Sequence, residues 1–207
     1  MPKKVEIITI IRNRPKYYQK VKDAMSEQTF KDFKWTIFDN KDNESLADIT
    51  SRLFSESDAE LVGKLDDDML VPPDWLERLV EAHDKYHFGF IGGFHFREEE
   101  MQGVEPNITE HNGVKIWEKG HIGGNFLMRR KAFKPYEGEG VMGLSDYQHL
   151  SEHPNGYLYP FIITDHMQDG RSKHCIRGYE NKFGMGTDDY TKAFIRDSKP
   201  YLNVNTI

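Results

Sequence analysis

The sequence predicts an α/β fold: a mainly parallel central sheet flanked by helices, with a smaller antiparallel hairpin region in the second half. Three observations predict it. Val5 to Ile11 is β-branched and nearly all apolar, as suits a strand covered on both faces. The first half of the chain then alternates strand-like runs with stretches of helical spacing, the signature of a parallel sheet with crossover helices. In the second half, Asn112-Gly113 sits inside Thr109 to Glu118 and is a strong signal for a two-residue hairpin turn.

Each element follows in order. Arg12-Asn13-Arg14-Pro15 ends the first strand, and a helix fits Tyr17 to about Ser26. Lys34 to Phe38 is a second short strand that runs into Asp39-Asn40. Leu46, Ile49 and Leu53 keep one helical face, and Leu61 to Leu65 is the third strand, followed directly by three aspartates. Pro72-Pro73 breaks the chain. Asp74 then reads as an N-cap, with Glu77 three residues on completing a capping-box variant, and Trp75, Leu76, Leu79 and Val80 supply that helix's apolar face. Phe88 to Phe94 reads as a fourth strand, Ser145 to His153 as a short helix, Tyr157 to Ile163 as an apolar run, and Asp188 to Ile195 as a last helix. No repeat, low-complexity tract or linker divides the chain, so it reads as one domain over 1–207, with 1–100 and 101–207 as its two halves.

Composition narrows the function classes. At 207 residues, 37% hydrophobic and 30% charged, the chain is long enough for a sizeable core and reads as a soluble globular protein. A net charge of −6 argues against a broad nucleic-acid footprint. Two local basic patches remain, at Arg12, Arg14 and Lys16 and at Arg129, Arg130 and Lys131; an ordinary solvated surface is the bland reading of both. Cys175 is the sole cysteine, so neither an intrachain disulfide nor a cysteine-based zinc site is available. Glu6 interrupts the N-terminal apolar run, which reads as a strand and not a signal peptide. No run is long enough for a transmembrane helix, and the expected location is cytoplasmic.

The informative stretch is KLDDDML, Lys64 to Leu70. Ligands of open parallel sheets bind beyond the carboxyl ends of the strands, and Asp39 and Asp66 both lie at such ends. Carboxylates there cannot neutralise one another and need a cation or solvent; Mg²⁺ and Mn²⁺ take oxygen ligands, typically one or two carboxylates plus substrate phosphates. If the chain stays extended, Asp66 and Asp68 share a face and Asp67 points into the scaffold. A solvated acidic turn before a helix is the competing reading. An EF-hand loop fails on spacing, because Leu70 and Val71 occupy its fifth and sixth positions. No P-loop is present, and Gly184-Met185-Gly186 opens no convincing βαβ unit.

The segments VEIITIIRNRPKYYQKVKDAMSEQTFKDFKWTIFDN, KLDDDMLVPPDWLERLV, GGNFLMRRKAF and GLSDYQHL, in this order, together resemble family 2-type glycosyltransferases with the GT-A fold. VEIITIIRNRPKYYQKVKDAMSEQTFKDFKWTIFDN resembles that family's opening strand, helix, "QT" turn and second strand with its terminal Asp. KLDDDMLVPPDWLERLV resembles its D-x-D segment, GGNFLMRRKAF its Gly-containing strand and R-R-x-A-F segment near the acceptor side, and GLSDYQHL its base-bearing segment, with Ser145 in place of the usual acidic first residue.

The resemblance implies a metal-dependent transfer of a sugar from a nucleotide-sugar donor, UDP-linked by preference, to an acceptor hydroxyl. It implies Mn²⁺ or Mg²⁺ on Asp68, with Asp66 at the ribose or the metal, and His166 as a further ligand; His174 is the second choice. Asp39 would face the nucleobase, with Ile10, Arg12 and Asn13 lining the same pocket. Asp67 belongs to the same acidic segment. Gly123 and Gly124 would let the sugar approach the backbone, Arg171 would contact phosphate, and Asp146 would be the general base of a one-step inverting transfer. Each has a plainer alternative: a turn cap for Asp39, a first-turn carboxylate for Asp146, strand geometry for the glycines, a structural role for His166 and a surface role for Arg171.

Two other readings compete. His149-Leu150-Ser151-Glu152-His153 matches H-x-x-E-H, a zinc-peptidase pattern, but Pro154 follows at once. A sugar- or nucleotide-binding domain without turnover is the non-enzyme reading. The tryptophans are core by default, with Trp117 the one proposed to stack on a sugar or base. The acceptor is left open among a saccharide, a lipid-linked sugar, a protein and a modified nucleic-acid base, with Arg129, Arg130 and Lys131 the first place to look for the last.

Overall fold

The structure is a computed structural model that describes residues 3–11, 15–42, 44–94, 105–119, 122–135, 153–167 and 202–203. In chain order the elements are β1 (Val5–Ile11), α1 (Pro15–Ser26), β2 (Phe33–Asp39), α2 (Leu46–Glu56), β3 (Leu61–Leu65), β4 (Met69–Leu70), α3 (Trp75–Lys85), β5 (Ile91–Gly92), β6 (Glu105–Pro106), β7 (Ile108–His111), β8 (Val114–Glu118), β9 (Asn125–Arg129), a 3-10 turn (Arg130–Ala132), β10 (Gly156–Tyr159), β11 (Asp165–His166) and β12 (Leu202–Asn203).

Among the described residues eight strands form one mixed sheet in the order β2-β1-β3-β9-β5-β10-β8-β7. β1 pairs in parallel with β2 and β3, as the strand–helix alternation requires. β9 then enters antiparallel to both β3 and β5. β5 and β10 are parallel, and β8 and β7 run antiparallel at the edge. The hairpin forms at Asn112-Gly113 as expected. Both residues have positive φ, 48° and 79°, the left-handed pair that matches a two-residue turn to strand twist. The hairpin is not a separate region, because β8 pairs with β10 and so continues the main sheet. The expected strand over Phe88 to Phe94 shortens to β5, because Gly89 N–H donates to Pro154 O and Phe90 N–H to Asn155 Oδ1 instead of to a ladder.

Apolar residues fill both faces of the sheet. Val5 and Ile7 of β1 join Tyr17, Val21, Leu76 and Leu79 from α1 and α3. Ile8 and Ile10 face the other way, with Ala47, Ile49 and Phe54 of α2 and Phe126 of β9. This is the period-two alternation of a doubly covered strand. Trp117 is fully buried in the second cluster against Phe94 and Tyr157, so it is a core residue and not a surface for stacking a ligand.

The start of α3 departs from its capping-box expectation. The Asp74 side chain caps no N–H, and Glu77 Oε2 instead accepts from Thr29 Oγ1 at 2.7 Å. The orphan N–H of Leu76 is taken by buried Gln28, whose Oε1 accepts it at 3.1 Å while Nε2 donates to Pro72 O at 2.9 Å. Thr29 N–H also donates to Pro73 O. Gln28 and Thr29 thus tie the end of α1 to the Pro72-Pro73 break, immediately beyond the acidic stretch. Gln28→Ala leaves a buried donor and a buried acceptor unpaired; the expected loss is about 1–3 kcal/mol, read as a lower midpoint in urea unfolding.

Two buried ionisable groups among the described residues contribute to the acid response. Desolvation holds His83 down to about 4, and its Nε2–H donates to Leu127 O at 3.0 Å. Burial pushes Glu6 up, but hydrogen bonds from Ser57, Thr36 and Lys34, with the Lys34 charge, outweigh it and leave Glu6 below its ordinary value. Both folded-state values lie below the unfolded ones, so both contributions are present at neutral pH and are lost on acidification. The His83 share, about 3 kcal/mol, drains away between pH 6.5 and 4; the Glu6 share follows below its ordinary value of 4.5. Urea titrations across this range are expected to show the decline, and His83→Gln is expected to flatten its upper part.

Candidate active site

The parallel pairing of β2, β1 and β3 brings their carboxyl ends to one end of the sheet. Asp39 is paired with Ile11 in register there. Its carboxylate is about half exposed and 3.1 Å from Lys41 Nζ, a surface pair that water screens. The loop beyond is fixed by buried Asn40, whose Nδ2 donates to Glu44 O and whose Oδ1 accepts from Glu44 N–H, both at 2.9 Å. Ile10 contributes its side chain to the core cluster with Ala47 and Phe54, so only its backbone faces this end. Arg12 and Asn13 lie outside the described residues.

The three aspartates do not stay extended. Met69 N–H donates to Asp66 O at 3.2 Å, closing a turn with Asp67 and Asp68 at its centre. Extended alternation therefore does not hold: Asp67 and Asp68 are both buried, whereas the Asp66 side chain is 35% exposed.

After the turn, β4 pairs antiparallel with β11, placing His166 opposite Met69 and Asp165 opposite Leu70. Met167 N–H donates to Asp68 O at 2.8 Å. This short ladder brings His166 Nε2 to 3.5 Å from Asp68 Oδ2. A hub behind it fixes the approach of β11. Asn125, at the start of β9, accepts from Gly93 N–H at 2.7 Å and donates to Thr164 Oγ1 at 3.4 Å. Phe94 N–H donates to Ile162 O and Thr164 N–H to Phe94 O.

Gly124 lies against Asp66. Asp66 N–H donates to Gly124 O at 2.7 Å, and a Cβ on Gly124 would collide with the Asp66 carboxylate. Its missing side chain thus makes room for Asp66, and the neighbouring Gly123 stays partly exposed beside it. Lys64 was not among the residues singled out by sequence. It is buried, and its Nζ lies 2.6 Å from Asp66 Oδ1. The signal was present: a lysine inside the apolar strand LVGKL needs a counter-charge, and Asp66 at i+2 is on the same strand face.

The Arg129, Arg130 and Lys131 patch is placed elsewhere. β9 runs antiparallel to β3, with Asn125 opposite Leu65 and Arg129 opposite Leu61, so the patch emerges at the far end of the strands. There it lines a cleft of about 820 Å³ with Lys3, Lys4 and His153. Arg129 is tied to Glu60 at 2.6 Å and to His83 O at 2.5 Å. His149 and Glu152 lie outside the described residues, as do Asp146, Arg171 and His174. Among the described residues no three His, Cys, Asp or Glu side chains gather as a complete metal cage. The Asp68–His166 pair nevertheless suits a divalent ion that completes its sphere with substrate oxygens and water, as Mg²⁺ and Mn²⁺ do.

A family model described as Glycosyl transferase family 2 matches residues 2–136. No curated protein matches the chain. Solved structures match its fold. A mannosyltransferase, PcManGT from Pyrobaculum calidifontis, in complex with GDP-Man and Mn²⁺, superposes with a TM-score of 0.57 at 13% identity, covering 86% of this chain and 59% of that one. GalNAc-T7 with UDP, GalNAc and Mn²⁺ gives 0.54 at 11% identity, covering 96% and 48%. S. aureus TarS in complex with UDP-GlcNAc gives 0.52 at 12% identity, covering 78% and 58%. The chain therefore spans about half to three-fifths of the length of these proteins, and at such identities they speak to fold alone. The α/β sheet is that of the GT-A glycosyltransferases, and the chain belongs to glycosyl transferase family 2.

Proposed function

We propose that this protein is a glycosyltransferase that moves a sugar from a nucleoside-diphosphate donor, UDP-linked by preference, to an acceptor hydroxyl. The observation that carries this reading is the Asp68–His166 pair, 3.5 Å apart at the carboxyl end of the parallel strands of a family 2 chain. In this reading Asp68 and His166 hold Mn²⁺ or Mg²⁺. When bound, such an ion neutralises the charge that develops on the departing diphosphate. Asp39 faces the nucleobase, with the chain at Ile10, Arg12 and Asn13 beside it, Asp66 faces the ribose, Asp67 backs the turn, Gly123 borders the sugar and Arg171 contacts phosphate.

Asp146 is the proposed general base. The acceptor oxygen attacks the anomeric carbon, its proton passes to the Asp146 carboxylate, and the bond to the diphosphate oxygen breaks with its electron pair leaving on the nucleotide. Attack opposite the leaving group inverts the anomeric configuration.

A thermal-shift screen of nucleotide sugars with and without Mn²⁺ tests donor and metal together; stabilisation that needs both is the expected result. Asp68→Asn is expected to lower turnover about 100-fold or more with an unchanged circular dichroism spectrum, and retained activity would remove the metal role. Asp146→Asn is expected to lower kcat by about 10²–10⁴-fold while still binding the nucleotide, measured by calorimetry alongside initial rates.

A further inference from the structure

β3 places one charged side chain in a fully buried strand. Lys64 is 6% exposed, and its ammonium lies 2.6 Å from Asp66 Oδ1. Asp66 is held from two other directions as well: its N–H donates to Gly124 O, and its carboxyl group fills the space where Gly124 lacks a Cβ. Asp68, beyond the turn, faces His166 on another strand. The acidic stretch therefore addresses two different partners. Asp66 answers an internal cation, and Asp68 answers an imidazole.

Resting on the function proposed above, we propose that Lys64 is a positioning residue that keeps Asp66 out of the inner sphere of the metal. The protein's metal ligands are then Asp68 and His166, and the exposed side of Asp66 is left for the hydroxyls of the nucleotide. The reason is energetic. Oδ1 of Asp66 is committed to the ammonium and Oδ2 packs over Gly124, so turning the carboxylate onto a metal would pull it off Lys64, and an uncompensated buried charge is far costlier than an outer-sphere carboxylate. The pair also removes one negative charge from the acidic stretch, so the site tolerates three adjacent aspartates before any ligand arrives.

The test is a titration of Mn²⁺ alone, followed by the electron paramagnetic resonance of the free ion, and of UDP at saturating Mn²⁺ by calorimetry. Wild type is compared with Asp68→Asn, Asp66→Asn, Lys64→Met and the Lys64→Met/Asp66→Asn double variant. Asp68→Asn is expected to weaken Mn²⁺ about 10–100-fold. Asp66→Asn removes no metal ligand, so it is expected to weaken Mn²⁺ only about two- to threefold, through the ammonium left unpaired, and to weaken UDP. Lys64→Met frees a carboxylate and deletes a nearby cation, so Mn²⁺ is expected to bind roughly tenfold tighter while UDP binds more weakly. The double variant is expected to return Mn²⁺ affinity to the wild-type level, a coupling that a merely structural lysine would not produce. Should Lys64→Met fail to fold, the double variant, which removes both charges of the pair and strands neither, carries the comparison: it must match wild type for Mn²⁺.

Asp66→Asn as damaging to Mn²⁺ as Asp68→Asn, or a folded Lys64→Met indistinguishable from wild type, overturns the positioning role and leaves the glycosyltransferase reading intact. Wild type that binds neither Mn²⁺ nor UDP overturns the function and this role with it.

Discussion

The register of β9 is the constraint on which the rest of the site depends. Five pairings with β3, from Leu61 opposite Arg129 to Leu65 opposite Asn125, fix where the second half of the chain meets the first. They set Gly124 against Asp66 and put Asn125 at the common end of β3 and β5. From there Asn125 reaches Gly93 and Thr164, and Thr164 leads into the strand that carries His166. A slip of one residue would turn Asn125 to the opposite face and break all of these contacts at once. Gly63, midway along β3, lets the strands lie this close, since a Cβ there would strike Phe126 O.

Local signals in the sequence were sufficient wherever structure is decided locally. The β-branched run of β1, the five residues of β3 and the Asn112-Gly113 turn all follow from periodicity or turn chemistry alone, and the structure has them where the sequence places them. The capping box at Asp74 failed because a distant partner, Gln28, supplies the oxygen that the box would have supplied. Phe88 to Phe94 is strongly apolar, yet Gly89 and Phe90 bond to the 154–156 segment, and Gly93 and Phe94 to Asn125, Ile162 and Thr164, partners that no local pattern reveals.

The site was legible in part for the same reason. The strand-end carboxylates do lie at one end of the sheet, but alternation misplaced their side chains because the chain turns at Asp67 and Asp68. Gly124 and Arg129 are close in sequence but stand at opposite ends of β9. A five-residue strand separates its ends by roughly 13 Å, which carries the basic patch to the far side of the sheet. Trp117 is buried by packing that only the tertiary fold supplies. Lys64 was readable in principle, since a cation in an apolar strand always poses the question of its partner.

The ladder between β4 and β11 joins residues that the chain makes almost a hundred positions apart, and the family match ends well before the second of them. Contacts of such separation close a long loop, whose entropic cost the pairing must offset. Asp68 follows directly on β3, whereas His166 is positioned by later chain docked on Met69 and Leu70. A ligand gripping both residues would act as a clasp, drawing the docked arrangement out of the ensemble by mass action. Completion of the fold and occupancy of the site would then be a single equilibrium viewed from two ends.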